Sequence, residues 1–205
     1  TVIEAAPLPL AGVLGPRMAA VFADLHRENG VRLELGTGVE GFEGDATVRG
    51  VRLADGRVIA ADAVVVGVGI APNVELAQAA GLDVDNGILT DEHLRTSHAD
   101  VFAAGDVANA FHPVLGRRIR VEHWANALNQ PAVAAASMLG IEAAYDRLPY
   151  FYTDQYDLGM EYVGHADAAT SDVVVRGNEL AREFITFWLD DGRVKAGMNV
   201  NMWDV

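Results

Sequence analysis

The 205-residue sequence contains no cysteine. This absence excludes a disulfide framework, a metal site built on thiolates and a redox-active cysteine pair within these residues. If the chain takes part in redox chemistry, a bound cofactor must supply it. The six histidines show no spacing typical of metal ligands, and we predict no metal site.

Basic residues are few. The chain has 15 lysines and arginines against 29 aspartates and glutamates, which gives a net charge of −14 at pH 7. An acidic protein repels phosphate groups, so we expect no nucleic-acid partner. The only dense basic cluster is Arg117, Arg118 and Arg120, and a solvated loop is its commoner setting.

Long apolar runs are also missing. No run reaches the length of a membrane span, and no basic stretch followed by an apolar one opens the chain. We therefore expect no membrane association, no signal peptide and a cytoplasmic location. With 51% hydrophobic and 21% charged residues, the composition is that of an ordinary globular protein that can build a core.

Several catalytic motifs are absent as well. The chain has neither a Gly-x-Ser-x-Gly elbow nor a Ser, His and Asp arrangement typical of hydrolases. Gly67-Val-Gly69 does not begin a Gly-x-Gly-x-x-Gly turn, since it continues as Ile70-Ala-Pro72. We assign no catalytic side chain.

Residues 1–88 show the alternation of strands and helices that is typical of a dinucleotide-binding unit. The predicted elements are a strand at 2–4, a helix at 16–29 closed by Gly30, a strand at 31–35, a hairpin of 47–53 and 58–61, a strand at 63–68 buried on both faces, and a short helix from Asn73 to Ala80. The run at 63–68 is continuously apolar, as central strands of parallel sheets are.

Residues 89–148 contain a short strand, 101–104, that stops at Gly105-Asp106. A long helix follows at about 126–139 with Pro131 inside it, or it begins near Gln130 with Pro131 at its first position. Residues 149–205 change character, with strands at 173–175, 183–189 and 194–200 and a turn at Asp190-Asp-Gly192.

Gly105-Asp106 is the most informative feature of the chain. A strand that runs into Gly-Asp places a carboxylate at the carboxyl end of the strand, where ligands of open α/β sheets gather. We predict that the residues after Asp106 begin a helix, whose first amides favour phosphate. Taken alone, the same dipeptide is also a common turn.

Three segments, in this order and spacing, carry a resemblance to a known family. They are Thr96 to Ala108, Glu122 to Gln130 and Pro149 to Asp157. Together they resemble the second half of the FAD-dependent pyridine-nucleotide oxidoreductases, most closely the ferredoxin/rubredoxin/putidaredoxin reductase group. Glu122-His-Trp124 and Thr153-Asp-Gln155 narrow the resemblance to this group, and it covers nearly the whole chain.

The resemblance implies an α/β fold, with partial Rossmann-like FAD- and NAD(P)-binding domains followed by a small α+β reductase carboxyl-terminal domain. The implied domains are 1–88, part of the NAD-binding domain; 89–148, the second half of the FAD-binding domain; and 149–205, a truncated carboxyl-terminal domain. The glycine-rich turns for both dinucleotides would then lie upstream. We expect the 205 residues by themselves to be inactive and not to bind FAD tightly.

For the NAD side, the resemblance implies that Glu4 accepts hydrogen bonds from the adenosine ribose and so favours NADH over NADPH. It also implies that Gly69 and Ile70 line the dinucleotide site. From the strand alone, a solvent-facing Glu4 is an equal alternative. For Gly69 and Ile70 the alternative is a plain strand-to-helix turn.

For the FAD side, the resemblance implies that Asp106 binds the ribityl or pyrophosphate part, together with Gly105 and the backbone amide of Val107. Glu122, His123 and Trp124 would lie against the flavin ring, and their backbone would reach its polar edge. A lone tryptophan is more often a core residue, which is the alternative for Trp124. His123 has no evident partner, and we assign it no acid–base role.

Tyr152 departs from the family pattern. Many members carry Trp at this position, where the ring borders the nicotinamide pocket. Tyrosine keeps a flat aromatic wall but is smaller, and its hydroxyl needs a partner.

The implied activity is that of an NADH-dependent flavoprotein reductase. NADH would reduce FAD, and the electrons would pass to a small iron–sulfur protein, a ferredoxin or rubredoxin. Alternatives are an NADH oxidase or quinone reductase of the same fold, or a non-catalytic fragment or binding module related to apoptosis-inducing factor. The sequence leaves the identity of the acceptor and the oligomeric state open.

Overall fold

The computed structural model of the chain describes residues 1–203. In this range the α-helices are α1 (Ala11–Glu28), α2 (Glu75–Ala79) and α3 (Trp124–Met138). The strands are β1 (Val2–Glu4), β2 (Leu33–Leu35), β3 (Val39–Glu43), β4 (Gly50–Leu53), β5 (Val58–Ala60), β6 (Ile88–Thr90), β7 (Ala108–His112), β8 (Arg117–Arg120), β9 (Tyr150–Gln155), β10 (Leu158–Gly164), β11 (Asp172–Asn178), β12 (Glu183–Asp190) and β13 (Arg193–Val200).

Across the described residues these strands form four sheets. β1 and β2 pair in parallel and are joined through α1, which makes a β-α-β unit. β3, β4 and β5 form an antiparallel sheet, and β6-β7-β8 a mixed one. The largest sheet is antiparallel, with the order β11-β12-β13-β10-β9, so that β9 lies at one edge.

The main core lies between α1 and the inner face of this five-stranded sheet. Leu14, Met18, Phe22 and Leu25 recur at helical spacing on one face of α1 and are fully buried. The alternate residues of the sheet that point toward the helix complete the core: Leu158, Met160, Tyr162, Phe184, Trp188, Ala196, Met198 and Val200. Burial of each large apolar side chain contributes about 1.5–3 kcal/mol, which makes this contact the main source of cohesion.

Two ion pairs flank the core. Arg17 pairs with Glu179, and Glu28, at the end of α1, pairs with Arg182. Both join α1 to the hairpin between β11 and β12, so they fix the helix along its length. Because both pairs are at least partly exposed to solvent, they add little to stability.

Gly15 interrupts α1. Its backbone has φ 75° and ψ 168°, so the regular helix begins at Pro16, where a fixed φ and a missing N–H are harmless. The prediction of a helix from Pro16 to Asn29 is therefore confirmed for the regular part, and Ala11 to Leu14 add a preceding turn. Gly30 ends it with φ 79°, as predicted.

Most of the remaining predicted elements are confirmed with shifted ends. The strands near 2–4 and 31–35, the hairpin around Gly56 and the three carboxyl-terminal strands are present. The helix with Pro131 inside it is correct, and the alternative start near Gln130 is wrong. The sequence patterns did not reveal β3 or the strands from β6 to β10. The predicted domain boundaries stay a prediction.

Three predictions are wrong. The apolar run at 63–68 is not a buried strand: it forms no strand, and Val65 is 98% exposed. A central strand is buried only when neighbours pair with it, and no described strand does. Asn73 does not cap α2, since Val74 occupies the N-cap without a side-chain hydrogen bond.

The third concerns the Gly-Asp segment. Residues 101–104 contain only an isolated bridge at Phe102, and a single 3-10 turn at Gly105–Val107 leads into β7 rather than into a helix. The reason is that β7 pairs with both β6 and β8, which holds the backbone extended directly after Val107.

None of the helices described within residues 1–203 is long and apolar enough to cross a membrane.

Replacement of Gly15 by alanine should lower the free energy of unfolding by about 1–3 kcal/mol. The left-handed φ disfavours a side chain, and a Cβ there would lie 2.9 Å from the backbone oxygen of Ala168. Gly12→Ala is the matched control, because a Cβ at Gly12 meets nothing within 4 Å. Urea unfolding of both variants checks this, and equal stabilities would contradict it.

Candidate functional site

A cavity of about 530 Å³ opens where the amino-terminal end of α3 meets the edge strand β9. Its volume lies in the range typical of small-molecule and cofactor sites. Two stretches of chain line it: Glu122, His123, Trp124 and Ala125 on one side, and Tyr150, Phe151, Tyr152, Thr153 and Asp154 on the other. The lining is thus rich in aromatic side chains and carries two carboxylates.

The first two residues of α3, Trp124 and Ala125, line this cavity. Asn126 and Ala127 both donate their N–H groups to the carbonyl oxygen of His123, at 2.9 and 3.1 Å. Trp124 and Ala125 precede them, and N–H groups at the start of a helix have no partner within it. The cavity is therefore bordered by amide donors at the positive end of the helix dipole.

Gly105-Asp106 is fastened to α3 by one side chain. The N–H group of Gly105 donates to Oε1 of the buried Gln130 at 2.7 Å. Gly105 has φ 78°, and a Cβ there would lie 3.8 Å from the backbone of Ala127, so the turn lies close to the helix. This contact holds Asp106 beside the start of α3.

Arg120 ties Asp106 to Glu122. Its guanidinium donates to the backbone oxygen of Asp106 at 3.2 Å and pairs with Oε1 of Glu122 at 2.7 Å. Arg118 donates to the backbone oxygens of Thr90 and Asn109. The basic cluster therefore lies in β8 and binds the protein itself, which corrects the interpretation of a solvated loop.

His123 joins the cavity to the core through a series of rings. Its ring lies 4.8 Å from that of Phe151, which stacks on Tyr162 at 4.8 Å, which in turn packs 5.3 Å from Trp188. Burial lowers the pKa of His123, and the carboxylates of Glu122 and Asp106 act in the opposite direction. The imidazole is therefore neutral at neutral pH.

On the β9 side, Tyr150 donates its hydroxyl hydrogen bond to Oε1 of Glu161 at 2.6 Å. This bond is the main reason that the pKa of Tyr150 is raised to about 12. Tyr152 has its ring 6.5 Å from that of Tyr150 and is 55% exposed.

A second, smaller cavity of about 220 Å³ shares His123, Phe151 and Thr153 with the first and reaches the start of α1.

Four of the ten site residues expected from the sequence line this cavity. Glu122, His123, Trp124 and Tyr152 line the cavity, and Asp106 lies close enough to His123 for its charge to act on it. Trp124 is 68% exposed, so the alternative of a core tryptophan is not what the structure shows.

The residues expected on the NAD side lie elsewhere. Glu4, Gly69 and Ile70 do not line the cavity. Glu4 accepts a hydrogen bond from the N–H group of Ala6 at 2.8 Å. Gly69 and Ile70 are exposed in a stretch without helix or strand, so their assignment to a dinucleotide site stays a prediction.

Three supporting residues were missed from the sequence: Gln130, Arg120 and Tyr150. Gln130 has a recognisable signal, since it stands four residues after Asn126 and both polar side chains are buried on one face of α3. Arg120 binds Asp106, fourteen residues earlier, as well as the nearby Glu122, and Tyr150 binds Glu161 on β10. No local pattern identifies the contacts with Asp106 and Glu161.

Comparison with known proteins gives two family matches. The family described as pyridine nucleotide-disulphide oxidoreductase matches residues 1–131, and the one described as reductase C-terminal matches residues 150–204. The ferredoxin–NAD(+) reductase component of the anthranilate 1,2-dioxygenase system of Burkholderia cepacia is 44% identical over 98% of this chain, which covers 50% of that protein. The chain spans about half the length of the curated relatives it matches.

Solved structures of reductases are similar to this chain as well. A ferredoxin reductase from Rhodopseudomonas palustris superposes with a TM-score of 0.91 at 37% identity, over 98% of this chain and 50% of that one. The covalent putidaredoxin reductase–putidaredoxin complex superposes with a TM-score of 0.90 at 38% identity, over 97% of this chain and 48% of that one. These similarities confirm the predicted family resemblance and fold class.

Protonation of His123 should destabilise the fold. Because its pKa is lowered from the ordinary 6.5, the unfolded chain binds a proton more readily, and the unfolding free energy should fall as the pH drops below 6.5. His123→Gln should reduce this fall, whereas His98→Gln, in an exposed turn, serves as the control. Urea unfolding at pH 7.5 and 5.5 measures it, and an unchanged fall in His123→Gln would refute the assignment.

Proposed function

The chain belongs to the pyridine nucleotide-disulphide oxidoreductase family, and on that premise we propose that it forms part of an NADH-dependent flavoprotein reductase. The reductase would use FAD and deliver electrons to a small iron–sulfur protein of the ferredoxin or rubredoxin type. The observation that carries this proposal is that Glu122-His-Trp124 and Tyr152 line one cavity, with Asp106 close enough to His123 for its charge to act on it.

The chemistry of the lining fits a flavin ring. Its residues include aromatic side chains that can pack on a flat ring and, at the start of α3, amide donors that suit carbonyl oxygens. None of the described lining residues is a lysine or arginine, and two are carboxylates, so the diphosphate of FAD would not be favoured inside. An uncharged ring system is the part of the cofactor that the cavity suits.

Each residue then has a distinct task. When bound, FAD would supply the redox chemistry, accepting hydride from NADH and releasing electrons singly. The backbone of Glu122, His123 and Trp124 would hold the polar edge of the ring. Asp106 would accept hydrogen bonds from the ribityl chain or a bridging water, with Gly105 allowing close approach and Val107 contributing an amide.

For the binding of NADH, we assign Glu4 to the adenosine ribose, where its charge would oppose a 2′-phosphate. Gly69 and Ile70 would line the same dinucleotide site, and Tyr152 would border the nicotinamide. No side chain needs to exchange a proton in hydride transfer, so these residues bind and orient.

The partner and setting belong to the same proposal. The three relatives named above are ferredoxin or putidaredoxin reductases, and one is solved as a complex with putidaredoxin. We assign this chain the same class of partner, no nucleic acid, no membrane and a cytoplasmic location, where NADH is available. The three domains, 1–88, 89–148 and 149–205, would be the NAD, FAD and carboxyl-terminal parts.

The reductase that contains this chain should be yellow, and NADH should bleach its flavin absorbance faster than NADPH does. Anaerobic stopped-flow absorbance measures both rates. Turnover should then require an added ferredoxin or rubredoxin. Rapid turnover with oxygen or a quinone alone would favour an oxidase or quinone reductase, and a colourless preparation that does not take up FAD would refute the proposal.

In the same protein, Asp106→Ala should weaken FAD retention by at least about tenfold, because each charge-assisted hydrogen bond contributes about 1.5–3 kcal/mol. Asp100→Ala, at an exposed position in the preceding turn, is the control. Flavin fluorescence during dialysis measures the dissociation constants. Equal FAD affinity in the two variants would remove Asp106 from the site.

A further inference from the structure

We propose that Glu161 is a positioning residue for the cofactor cavity, which it serves by holding the ring of Tyr150 in the cavity wall. Glu161 does not line the cavity itself. It stands on β10, directly opposite Tyr152 of β9 in the strand register and diagonal to Tyr150. The inference rests on the proposed function, because it assigns a role within the same site.

The need for such a residue follows from the position of β9. In the described residues β9 is the edge strand of its sheet, so its first residues have a neighbouring strand on one side only. Tyr150 is the first residue of β9, and its half-buried ring forms part of the cavity wall. A ring at such a place has considerable freedom unless another group fixes it.

Glu161 is well placed to remove that freedom. Its Oε1 accepts the hydrogen bond of the Tyr150 hydroxyl at 2.6 Å, which is short and charge-assisted. Its Oε2 lies 3.5 Å from Nδ2 of Asn199, on the next strand, β13. The carboxylate therefore connects three adjacent strands, β9, β10 and β13. Through it, the Tyr150 ring is held by the interior strands of the sheet as well as by β9.

This hydrogen bond also defines what the phenol can do. Its single proton is committed to Glu161, so the hydroxyl oxygen can only accept a further hydrogen bond. The pKa of Tyr150, raised to about 12, keeps the phenol protonated throughout the neutral range. Tyr152, whose ring lies 6.5 Å away, thereby gains a fixed neighbour.

The hydrogen bond is tested directly by following the ¹³Cζ resonances of labelled tyrosines in the 205-residue chain between pH 8 and 11.5. Tyr150, assigned with Tyr150→Phe, should stay protonated in the parent protein and titrate closer to about 10 in Glu161→Gln. Glu183→Gln, which removes an exposed carboxylate from β12 of the same sheet, should leave it unchanged. The same Tyr150 titration in the parent and Glu161→Gln would overturn the proposal.

The role in the site is tested in the whole reductase by the rate of flavin reduction at saturating NADH. Glu161→Leu should lower this rate about tenfold with less than a twofold change in KM for NADH, and Glu161→Gln, which can still accept the hydrogen bond, should recover most of it. Tyr150→Phe should have a similar effect, and adding Glu161→Leu to it should lower the rate no further.

The outcomes separate the two proposals. An unchanged rate in Glu161→Leu, or a further loss in the double variant, would show that Glu161 does not act through Tyr150. A protein that fails to take up FAD would refute the proposed function, while the tyrosine titration would still decide whether Glu161 holds Tyr150. Urea unfolding of each variant distinguishes a rate effect from a loss of folded protein.

Discussion

The packing of α1 against the five-stranded sheet is the contact on which the rest of the structure depends. It joins the β-α-β unit to the carboxyl-terminal strands, and its core ends at Trp188, Tyr162 and Phe151. Phe151 also faces His123, so the same set of rings fixes where the start of α3 lies relative to β9. The cavity walls are thus held by the core rather than by loop contacts.

A second level of support is polar and far more sparse. Gln130 holds the Gly105 turn against α3, and Arg120 bridges Asp106 and Glu122. Each of these links consists of one or two hydrogen bonds. Such bonds specify geometry more than they add stability, since a hydrogen bond in a protein contributes about 0.5–1.5 kcal/mol net. The chain has a large acidic excess, and Arg118 and Arg120 of β8 bind the protein's own backbone oxygens and the carboxylate of Glu122.

Sequence patterns predicted the elements whose cause is local. The apolar spacing in α1, the glycine after it and the turn at Asp190-Asp-Gly192 need no distant partner, and they were predicted correctly. The patterns failed where the pairing of strands distant in sequence decides the local structure. The run at 63–68 has the composition of a central strand but no described neighbour, and the residues after Asp106 extend because β6 and β8 flank them. Glu161 could not be recognised as a partner of Tyr150, because strand register brings them together.

The exposed run at 63–68 has a consequence for how the protein behaves in concentrated solution. Six successive residues without charge or proline, four of them valines, have the composition of segments that stack into cross-β assemblies. Val65, Val66 and Val68 are each more than half exposed, so the segment is open to a second molecule. Mutual repulsion between chains of net charge −14 opposes that encounter, and because salt screens this repulsion, added salt should favour self-association of the isolated chain.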